Sequence, residues 1–319
     1  KIDEEGSVTV PAKLLAEFVA SLDAAPISLD TTQQPFGLQL ECARNQARMN
    51  ATDAQEFPPI PSVEPGIKVS IGAQELRTAV HRVGFAAATE ESRPVLTGIK
   101  VVLNGNSFSM AAADGFRLAV HYGHLEEAVE NPVDIIVPAR TMNEVVRLLG
   151  DQEEAVEVVV NSSSSQVLFR LKGTELISQL VQGTFPNFDQ LIPQTHTARA
   201  TVGHQEFLRA VRTAAIFARD GSGIIRLEMR SGEDGQGQIC LSARAEERGE
   251  HEGEIEATVE GDIAEAKIAF NSRYLLDALG AMEKGKVSLE MTSSASPGVF
   301  KPGDAQDYIH VVMPMFVQW

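Results

Sequence analysis

Five helical segments recur along this chain at a nearly constant step, and this repeat limits the possible folds more than any other feature. They begin at positions 11, 73, 138, 204 and 271, so the steps are 62, 65, 66 and 67 residues. Each has one apolar face, as Leu76, Val80 and Val83 show at i, i+4 and i+7. A step of this length indicates a structural unit that is used several times along the chain.

Between the helices, short runs of residues have the composition and bounds of antiparallel strands. Gly, Ser, Asp or Asn bound each run, and apolar and β-branched residues fill it. The clearest runs are GIKVVL (98–103), EVVVN (157–161), QVLFRL (166–171), IIRLEM (224–229) and KVSLEM (286–291). The repeated order of one helix and several strands predicts an α+β protein built from helix-plus-antiparallel-sheet units.

The segments that lead into the helices alternate, which indicates that two units make one domain. Strands ending in Val-Pro-Ala precede the helices at 11 and 138, whereas polar leads precede those at 73 and 204. Proline-rich stretches at 57–66 and 185–199 fall at the expected boundaries. We predict the second half of domain I at 1–62, domain II at 67–193 and domain III at 197–319. The first half of domain I is expected to be missing upstream, because one unit cannot close its own core.

The distribution of charge separates the helices from the rest of the chain. The net charge of −17, from 27 Lys+Arg and 44 Asp+Glu, argues against a generally basic surface for nucleic acid. The five helical segments nevertheless sum to a positive charge, so the strands and loops carry the acidic excess. Ordinary solvated lysines and arginines are one interpretation. A positive face that contacts phosphates without reading bases is the other, and the recurrence of the asymmetry with the repeat favours it.

The sequence contains no motif that indicates catalysis or metal binding. HExxH, GxSxG and Walker sequences are absent. His121 and His124 are three residues apart in a segment that follows a strand-like run, which predicts solvent-exposed histidines rather than a metal pair. Asp114 and Arg117 are expected to form an ion pair or turn that fixes a β-hairpin. We predict no enzyme activity, no metal and no cofactor.

Cysteine usage and hydropathy indicate the cellular compartment. Cys42 and Cys240 are too far apart in sequence for a disulfide framework or a zinc motif, which is typical of a reducing cytoplasm. No apolar run approaches the length of a membrane span, and the first ten residues, KIDEEGSVTV, are acidic and polar. We therefore expect a cytoplasmic protein without membrane partners.

Seven motifs together resemble the bacterial DNA polymerase III β subunit family, the sliding clamps. In chain order they are RPVLTGI (93–99), ADGFRLAV (113–120), IIVPAR (135–140), FPNFDQLIP (185–193), FNSRYLLDAL (270–279), SPGVFKP (296–302) and YIHVVMPM (308–315). They have the order and spacing of the family, and the resemblance covers the whole chain. It implies the DNA clamp fold, in which a head-to-tail homodimer closes into a ring with inner helices and outer sheets.

The resemblance implies a processivity factor that encircles double-stranded DNA, without sequence preference, and associates with the nucleoid. The candidates for DNA-facing residues are Lys13, Arg77, Arg82, Arg140, Arg147, Arg209 and Arg212. The candidates for the dimer interface are Met49, Ile216 and Phe217. Loop 89–94 matches a DNA-touching loop of the family, but here it carries Glu90 and Glu91.

The resemblance also implies a groove between domains II and III for peptides that contain Gln and Leu or Phe. Such peptides belong to the replicative polymerase, the clamp loader, repair polymerases and ligase. The matching positions are Leu96, Ala113, Gly115, Phe116, Arg117, Leu118, Pro186, Gln190, Leu191, Asn271, Tyr274, Ala295, Pro297, Val311, Val312, Met313, Pro314 and Met315. Ala113 stands where many members have Thr, and Phe116 replaces a His found in some. Both changes make the pocket more apolar.

The segment DYIHVVMPM (307–315) is expected to be the closing strand of domain III. The helices at 204 and 271 should cover one of its faces, and the other should form a wall of the groove. The tail FVQW (316–319) extends past the usual end of the family. Two other classes stay open at this point, a β-rich hydrolase and a linear repeat adaptor that scaffolds proteins without DNA. Closure into a ring would distinguish a clamp from the adaptor.

Overall fold

The computed structural model describes residues 2–33, 36–58, 63–64, 66–232, 236–261, 265–303 and 306–318. Trp319 of the predicted tail lies outside these residues. The chain divides into two compact units, unit 1 at residues 1–62 and unit 2 at residues 63–319. Among the described residues, no helix is long and apolar enough to cross a membrane.

All five predicted helices are confirmed within a few residues of their predicted ends. They are α1 (Ala12–Ala20), α2 (Ala73–Val83), α3 (Ala139–Leu149), α4 (His204–Arg219) and α5 (Ser272–Gly280). Their apolar faces form the cores: Leu76, Val80 and Val83 of α2 are all buried. On α4, Phe207 and Val211 are fully buried in the same way.

Unit 1 contains α1 and short antiparallel strands. The strands are β1 (Val8–Thr9), β2 (Ile27–Gln33), β3 (Phe36–Cys42), β4 (Asn45–Asn50) and β5 (Thr52–Asp53). They form a β2-β3-β4 sheet and a β1-β5 ladder. Among its described residues, Leu38, Leu40 and Met49 form a small buried apolar cluster. No residue of α1 is buried, and Leu14 is an exposed apolar residue on this helix.

Unit 2 contains the remaining strands. They are β6 (Gly66–Ile71), β7 (Gly98–Ala113), β8 (Arg117–Pro138), β9 (Val156–Asn161), β10 (Gln166–Leu171), β11 (Thr174–Gln179), β12 (Ala198–Gly203), β13 (Ile224–Ser231), β14 (Gln236–Ala245), β15 (Gly249–Gly261), β16 (Glu265–Asn271), β17 (Lys286–Met291), β18 (Gly298–Pro302) and β19 (Tyr308–Val312). One sheet has four strands in the order β11-β10-β9-β6. The other has ten, in the order β16-β13-β14-β15-β12-β17-β18-β19-β8-β7.

The ten-stranded sheet is continuous because β19 pairs on both of its sides. Its Gly298↔Val312 register joins β18, and its Val311↔Leu118 register joins β8. Residues 308–312 are therefore paired with residues 117–121, which belong to a different repeat. Backbone hydrogen bonds on both sides leave this strand without a free edge.

The prediction for the cover of β19 needs a correction. We expected the helices at 204 and 271 on one face, but the end of α2 also covers the strand. The Arg82 guanidinium lies 5.5 Å from the centroid of the Tyr308 ring, and the Phe85 ring lies 5.5 Å from that of His310. The reason is the pairing of β19 with β8, since this pairing brings the strand under the helix that packs on β8.

Candidate functional site

Several predicted groove residues share one buried apolar cluster around β19. Leu96, Ala113, Leu118 and Val311 are members of this cluster. Phe185 and Phe188, which flank Pro186 and are not among the predicted residues, also insert into it. The cluster thus contains side chains from the β7-β8 region, from β19 and from the 185–191 stretch. It supplies a rigid apolar base.

The turn between β7 and β8 is fixed by Asp114. Its Oδ1 atom accepts hydrogen bonds from the backbone N–H of Phe116 at 2.9 Å and of Arg117 at 3.0 Å. Its Oδ2 atom accepts from Nε of Arg117 at 3.0 Å, so the predicted ion pair is confirmed. Gly115 takes a φ of 94°, which glycine adopts without strain. The turn presents Phe116 with 61% of its surface exposed.

Arg117 is a buried cross-link rather than a free cation of the groove. Its Nη1 atom donates to Oδ2 of Asp277 at 2.5 Å, and its Nη2 atom donates to the Phe85 carbonyl at 2.7 Å. Its guanidinium also lies over the ring of Tyr274, 4.7 Å from the centroid. Burial raises the pKa of the Tyr274 hydroxyl, and the nearby Asp114 carboxylate acts in the same direction. This network brings the β7-β8 turn and α5 together.

Asp277 and Phe85 are parts of this site that sequence reasoning missed. Asp277 lies on α5 three residues after Tyr274, on the same helical face, and this spacing is the only local signal for it. Phe85 contributes a backbone carbonyl, and no sequence pattern predicts the use of a carbonyl.

The segment after β19 holds its backbone in place while it exposes apolar side chains. The N–H of Met313 donates to the Phe116 carbonyl at 2.8 Å, and the N–H of Met315 donates to the Ala269 carbonyl at 2.7 Å. Pro314 between them is buried. Met313 and Met315 are 45% and 37% exposed. Their flexible thioether side chains can adapt to different apolar ligands.

The other predicted groove residues differ in their surroundings. Pro186, Gln190, Leu191 and Ala295 are exposed, Pro297 and Asn271 are half-buried, and Val312 is buried. Pro297 directly precedes Gly298, which pairs with Val312 of β19. Asn271 caps α5, because its Oδ1 atom accepts from the N–H of Arg273 at 2.9 Å. The Asn271 side chain therefore stabilises the start of α5, in addition to its predicted role in the groove.

Five of the seven candidates for DNA contact have exposed side chains. They are Lys13, Arg140, Arg147, Arg209 and Arg212. Arg147 forms an ion pair with Glu144 at 2.6 Å, and Lys13 lies 3.8 Å from Glu17. Within the described part of the chain, no carboxylate pairs with Arg140, Arg209 or Arg212. Among the seven candidates, these three are the cations most available to an external anion.

The structure does not support the prediction for Arg82 and Arg77. Arg82 is 7% exposed, and its Nη1 atom donates to Oδ2 of Asp307 at 2.6 Å. It follows Ala79 by three residues and precedes Val83, so the helical period already places it on the buried face. Arg77 is half-buried, and its Nη2 atom donates to the carbonyls of Gly150 and Gln152 at the end of α3.

The expectation of two exposed histidines is wrong for His121. It is 1% exposed, with Nδ1 3.2 Å from Nη1 of Arg82 and Nε2 3.4 Å from Oε1 of Glu75. Burial lowers the pKa of His121, and the Arg82 charge lowers it further against the opposing effect of Glu75. His124 is exposed as expected. No cluster of three or more His, Cys, Asp or Glu residues suited to a metal occurs among the described residues.

The three candidates for the dimer interface lie in different environments. Met49 packs in the core of unit 1 beside Leu38 and Leu40, which corrects its placement at a surface. Ile216 is exposed on α4, and Phe217 is half-buried with its ring 5.7 Å from that of His251.

Two family models match this chain in succession. The DNA polymerase III beta subunit, central domain, matches residues 70–187, and the C-terminal domain of the same subunit matches residues 189–316. The beta sliding clamp of Staphylococcus aureus strain Mu50 is 28% identical over 315 residues, which are 98% of this chain and 81% of the relative. The beta sliding clamp of Staphylococcus epidermidis is 28% identical over 317 residues, which are 99% of this chain and 81% of the relative.

Solved structures of sliding clamps have the same fold. The DNA polymerase sliding clamp of Bacillus subtilis superposes with a TM-score of 0.90 at 26% identity, covering 100% of this chain and 82% of that one. The DNA polymerase III subunit beta of Pseudomonas aeruginosa superposes with a TM-score of 0.87 at 27% identity, covering 98% of this chain and 84% of that one. This chain therefore has the DNA clamp fold and belongs to the DNA polymerase III beta subunit family, the non-catalytic sliding clamps of bacterial DNA replication.

Proposed function

We propose that this clamp encircles duplex DNA as a head-to-tail homodimer ring and moves along it without reading its sequence. The segregation of charge between α4 and β15, which pack against each other, carries this proposal. On the helix, Arg209 and Arg212 are exposed and unpaired within the described residues. On the strand, four glutamates are exposed at every second position: Glu250, Glu252, Glu254 and Glu256.

The two charges lie on opposite faces of the sheet. Ile255 and Ala257 of β15 alternate with the glutamates, and they are buried in the core that also contains Phe207 and Val211 of α4. Side chains at successive strand positions point to opposite faces, so the glutamates point away from the helix. A positive helix layer would attract DNA phosphates while a negative sheet surface would repel them. Retention by encirclement needs no tight contact.

Ring closure separates a clamp from a linear adaptor in one experiment. The full-length protein would be loaded by its clamp loader onto a nicked circular plasmid, which would then be cut once with a restriction enzyme. We expect the clamp to remain on the circle through gel filtration and to leave after linearisation, because it slides off the ends. Retention that is unchanged by cutting would overturn encirclement.

We also propose that partner peptides bind along Met313 and Met315 beside the β7-β8 turn, between residues 67–193 and 197–319 as domains II and III. The peptides would be Gln- and Leu- or Phe-containing segments of the replicative polymerase, clamp loader, repair polymerases and ligase. Exposed Phe116, Met313 and Met315 on a backbone fixed by hydrogen bonds support this proposal. A preorganised apolar surface lowers the entropy cost of binding a peptide.

A further inference from the structure

Arg82 connects three separate segments of unit 2. Besides Oδ2 of Asp307, its guanidinium lies near Nδ1 of His121 on β8, and its Nη2 atom is 3.9 Å from Oε1 of Glu283 after α5. It also covers the ring of Tyr308. Arg82 itself is at the end of α2. One buried side chain therefore joins α2 to β8, to the start of β19 and to the segment that follows α5.

The two faces of β19 have different partners. Tyr308 and His310 contact Arg82 and Phe85 at the end of α2. Ile309 and Val311, which point the other way because strand side chains alternate, pack in the cluster that forms the base of the groove. Because β19 is packed on both faces, a displacement of the strand that changes its contacts with α2 also changes its contacts with the apolar cluster.

We propose that Arg82 is a positioning residue for the groove, an inference that rests on the proposed peptide-binding function. The Arg82–Asp307 ion pair sets the place of β19 against α2. Since the strand continues directly into Met313 and Met315, the same pair sets the position of the groove wall. In this arrangement Arg82 does not contact the peptide and acts on the groove through β19.

The partners of Arg82 make its charge and its forked shape both necessary. The Asp307 carboxylate approaches Arg82 from the segment before β19, and the Glu283 carboxylate approaches it from the segment after α5. The Glu75 carboxylate approaches His121, which lies beside Arg82. A lysine could keep one ion pair with Asp307, but its single ammonium group cannot also reach His121 and Glu283. Arg82→Lys should therefore restore part of what Arg82→Met loses.

The test compares Arg82→Met, Arg82→Lys and a control, Lys100→Met. Lys100 of β7 forms a 2.7 Å ion pair with Asp134 of β8, and neither residue belongs to β19. The first readout is the affinity for a fluorescent peptide containing Gln, Leu and Phe. The second is hydrogen exchange of the amides of Tyr122, which donates to the Asp307 carbonyl, and of Met313, which donates to that of Phe116.

We expect Arg82→Met to weaken peptide binding by about 3- to 10-fold, which is within the range of effects that non-contacting residues have on a binding site. We also expect faster hydrogen exchange at both amides. Arg82→Lys should fall between it and the wild type, and Lys100→Met should match the wild type in both readouts. If Arg82→Met does not fold, the lysine variant alone provides the comparison. Exchange and affinity like those of the control would overturn the proposal.

Failure of the groove itself would look different from failure of this inference. A wild-type protein that does not bind the peptide would refute the proposed peptide site. Faster exchange at Tyr122 and Met313 in Arg82→Met would then still show that Arg82 fixes β19, whereas unchanged exchange would remove that role as well.

Discussion

The Nη1 atom of Arg117 lies 2.5 Å from Oδ2 of Asp277, so an ion pair between a buried guanidinium and a half-buried carboxylate joins the β7-β8 turn to α5. The two residues are 160 positions apart in sequence. Arg117 also donates to Asp114, so its guanidinium donates hydrogen bonds to two carboxylates and one backbone carbonyl. The site thus depends on a long-range contact between two repeats.

Removal of the Asp277 charge should destabilise unit 2. Asp277→Asn leaves the buried Arg117 guanidinium with one carboxylate fewer, and loss of the charged partner of a buried group costs about 2 kcal/mol when that partner is half-buried. The free energy of unfolding from urea titrations measures this loss. Glu157→Gln, which removes the carboxylate partner of the exposed Arg170 and Lys68, is the control and should cost less than about 1 kcal/mol. Equal losses in the two variants would contradict the structural role of Asp277.

Truncation of the exposed methionines should reduce peptide binding without loss of stability. Met313→Ala with Met315→Ala removes adaptable apolar surface at the groove, so we expect about a ten-fold weaker complex with a Gln- and Leu-containing peptide, measured by fluorescence polarisation. The melting temperature should stay nearly unchanged, since both side chains are largely exposed. Leu148→Ala, an exposed apolar residue on α3, is the matched control. Unchanged peptide affinity in the double variant would exclude this wall of the groove.

The exposed arginines of α4 should determine the salt dependence of DNA binding. Arg209→Ala with Arg212→Ala removes two cations that pair with no carboxylate of the described residues. The slope of log K against log salt should fall by about 1 to 2, since each phosphate contact contributes about 0.9. Equilibrium binding to a short duplex at several salt concentrations measures the slope. Arg147→Ala should change it less, because Glu144 already pairs with Arg147. A slope equal to that of the wild type would rule out α4 as a DNA-facing helix.

The buried His310 should make the protein sensitive to acid. Burial lowers the pKa of His310 to about 3 from its ordinary value of 6.5, and the nearby Arg117 charge contributes. The unfolded chain therefore takes up a proton below pH 6.5 that the folded chain takes up only near pH 3. The stability linked to this residue is complete above pH 6.5 and falls as the pH decreases, by up to about 1.4 kcal/mol per pH unit.

His310→Phe keeps a ring against Phe85 and removes this proton. Between pH 7 and pH 4.5, the wild type should lose about 2 kcal/mol more of its free energy of unfolding than the variant, measured by urea titration at each pH. Carboxylates and His121 titrate in both proteins and cancel in the difference. His124→Phe, at an exposed position, should behave as the wild type. Identical pH profiles for wild type and His310→Phe would show that His310 accepts its proton while folded.

Local patterns in the sequence were enough to predict most of the secondary structure. The run 166–171 is strand β10, 286–291 is β17 and 204–219 is α4, each with the predicted bounds. Such segments are predictable because helical or alternating periodicity depends only on neighbours in sequence. The resemblance to sliding clamps depended on motifs, and the comparisons confirmed the family.

Long-range pairing explains what local patterns did not predict. His121 is buried because β8 passes under α2, and Arg82 is buried because β19 lies beside β8. The helical period of α2 indicates that Arg82 faces the core, but the partners of Arg82 and of His121 leave no signal within a short window of sequence. The ion pair of Asp114 with Arg117 was predictable because both partners belong to one turn. The Asp277 contact was not predictable, since its partner lies on another repeat.

The position of β19 in the sheet has a consequence for the order of synthesis. Tyr308 pairs with His121, so β8 is made long before the strand that completes its hydrogen bonds. Until residues 308–312 leave the ribosome, the inner strands β8 and β18 each have an open edge, and the joined sheet cannot form. Met313 and Met315 are made later still. A nascent chain that has been made only as far as β18 thus lacks both β19 and the wall proposed for partner capture.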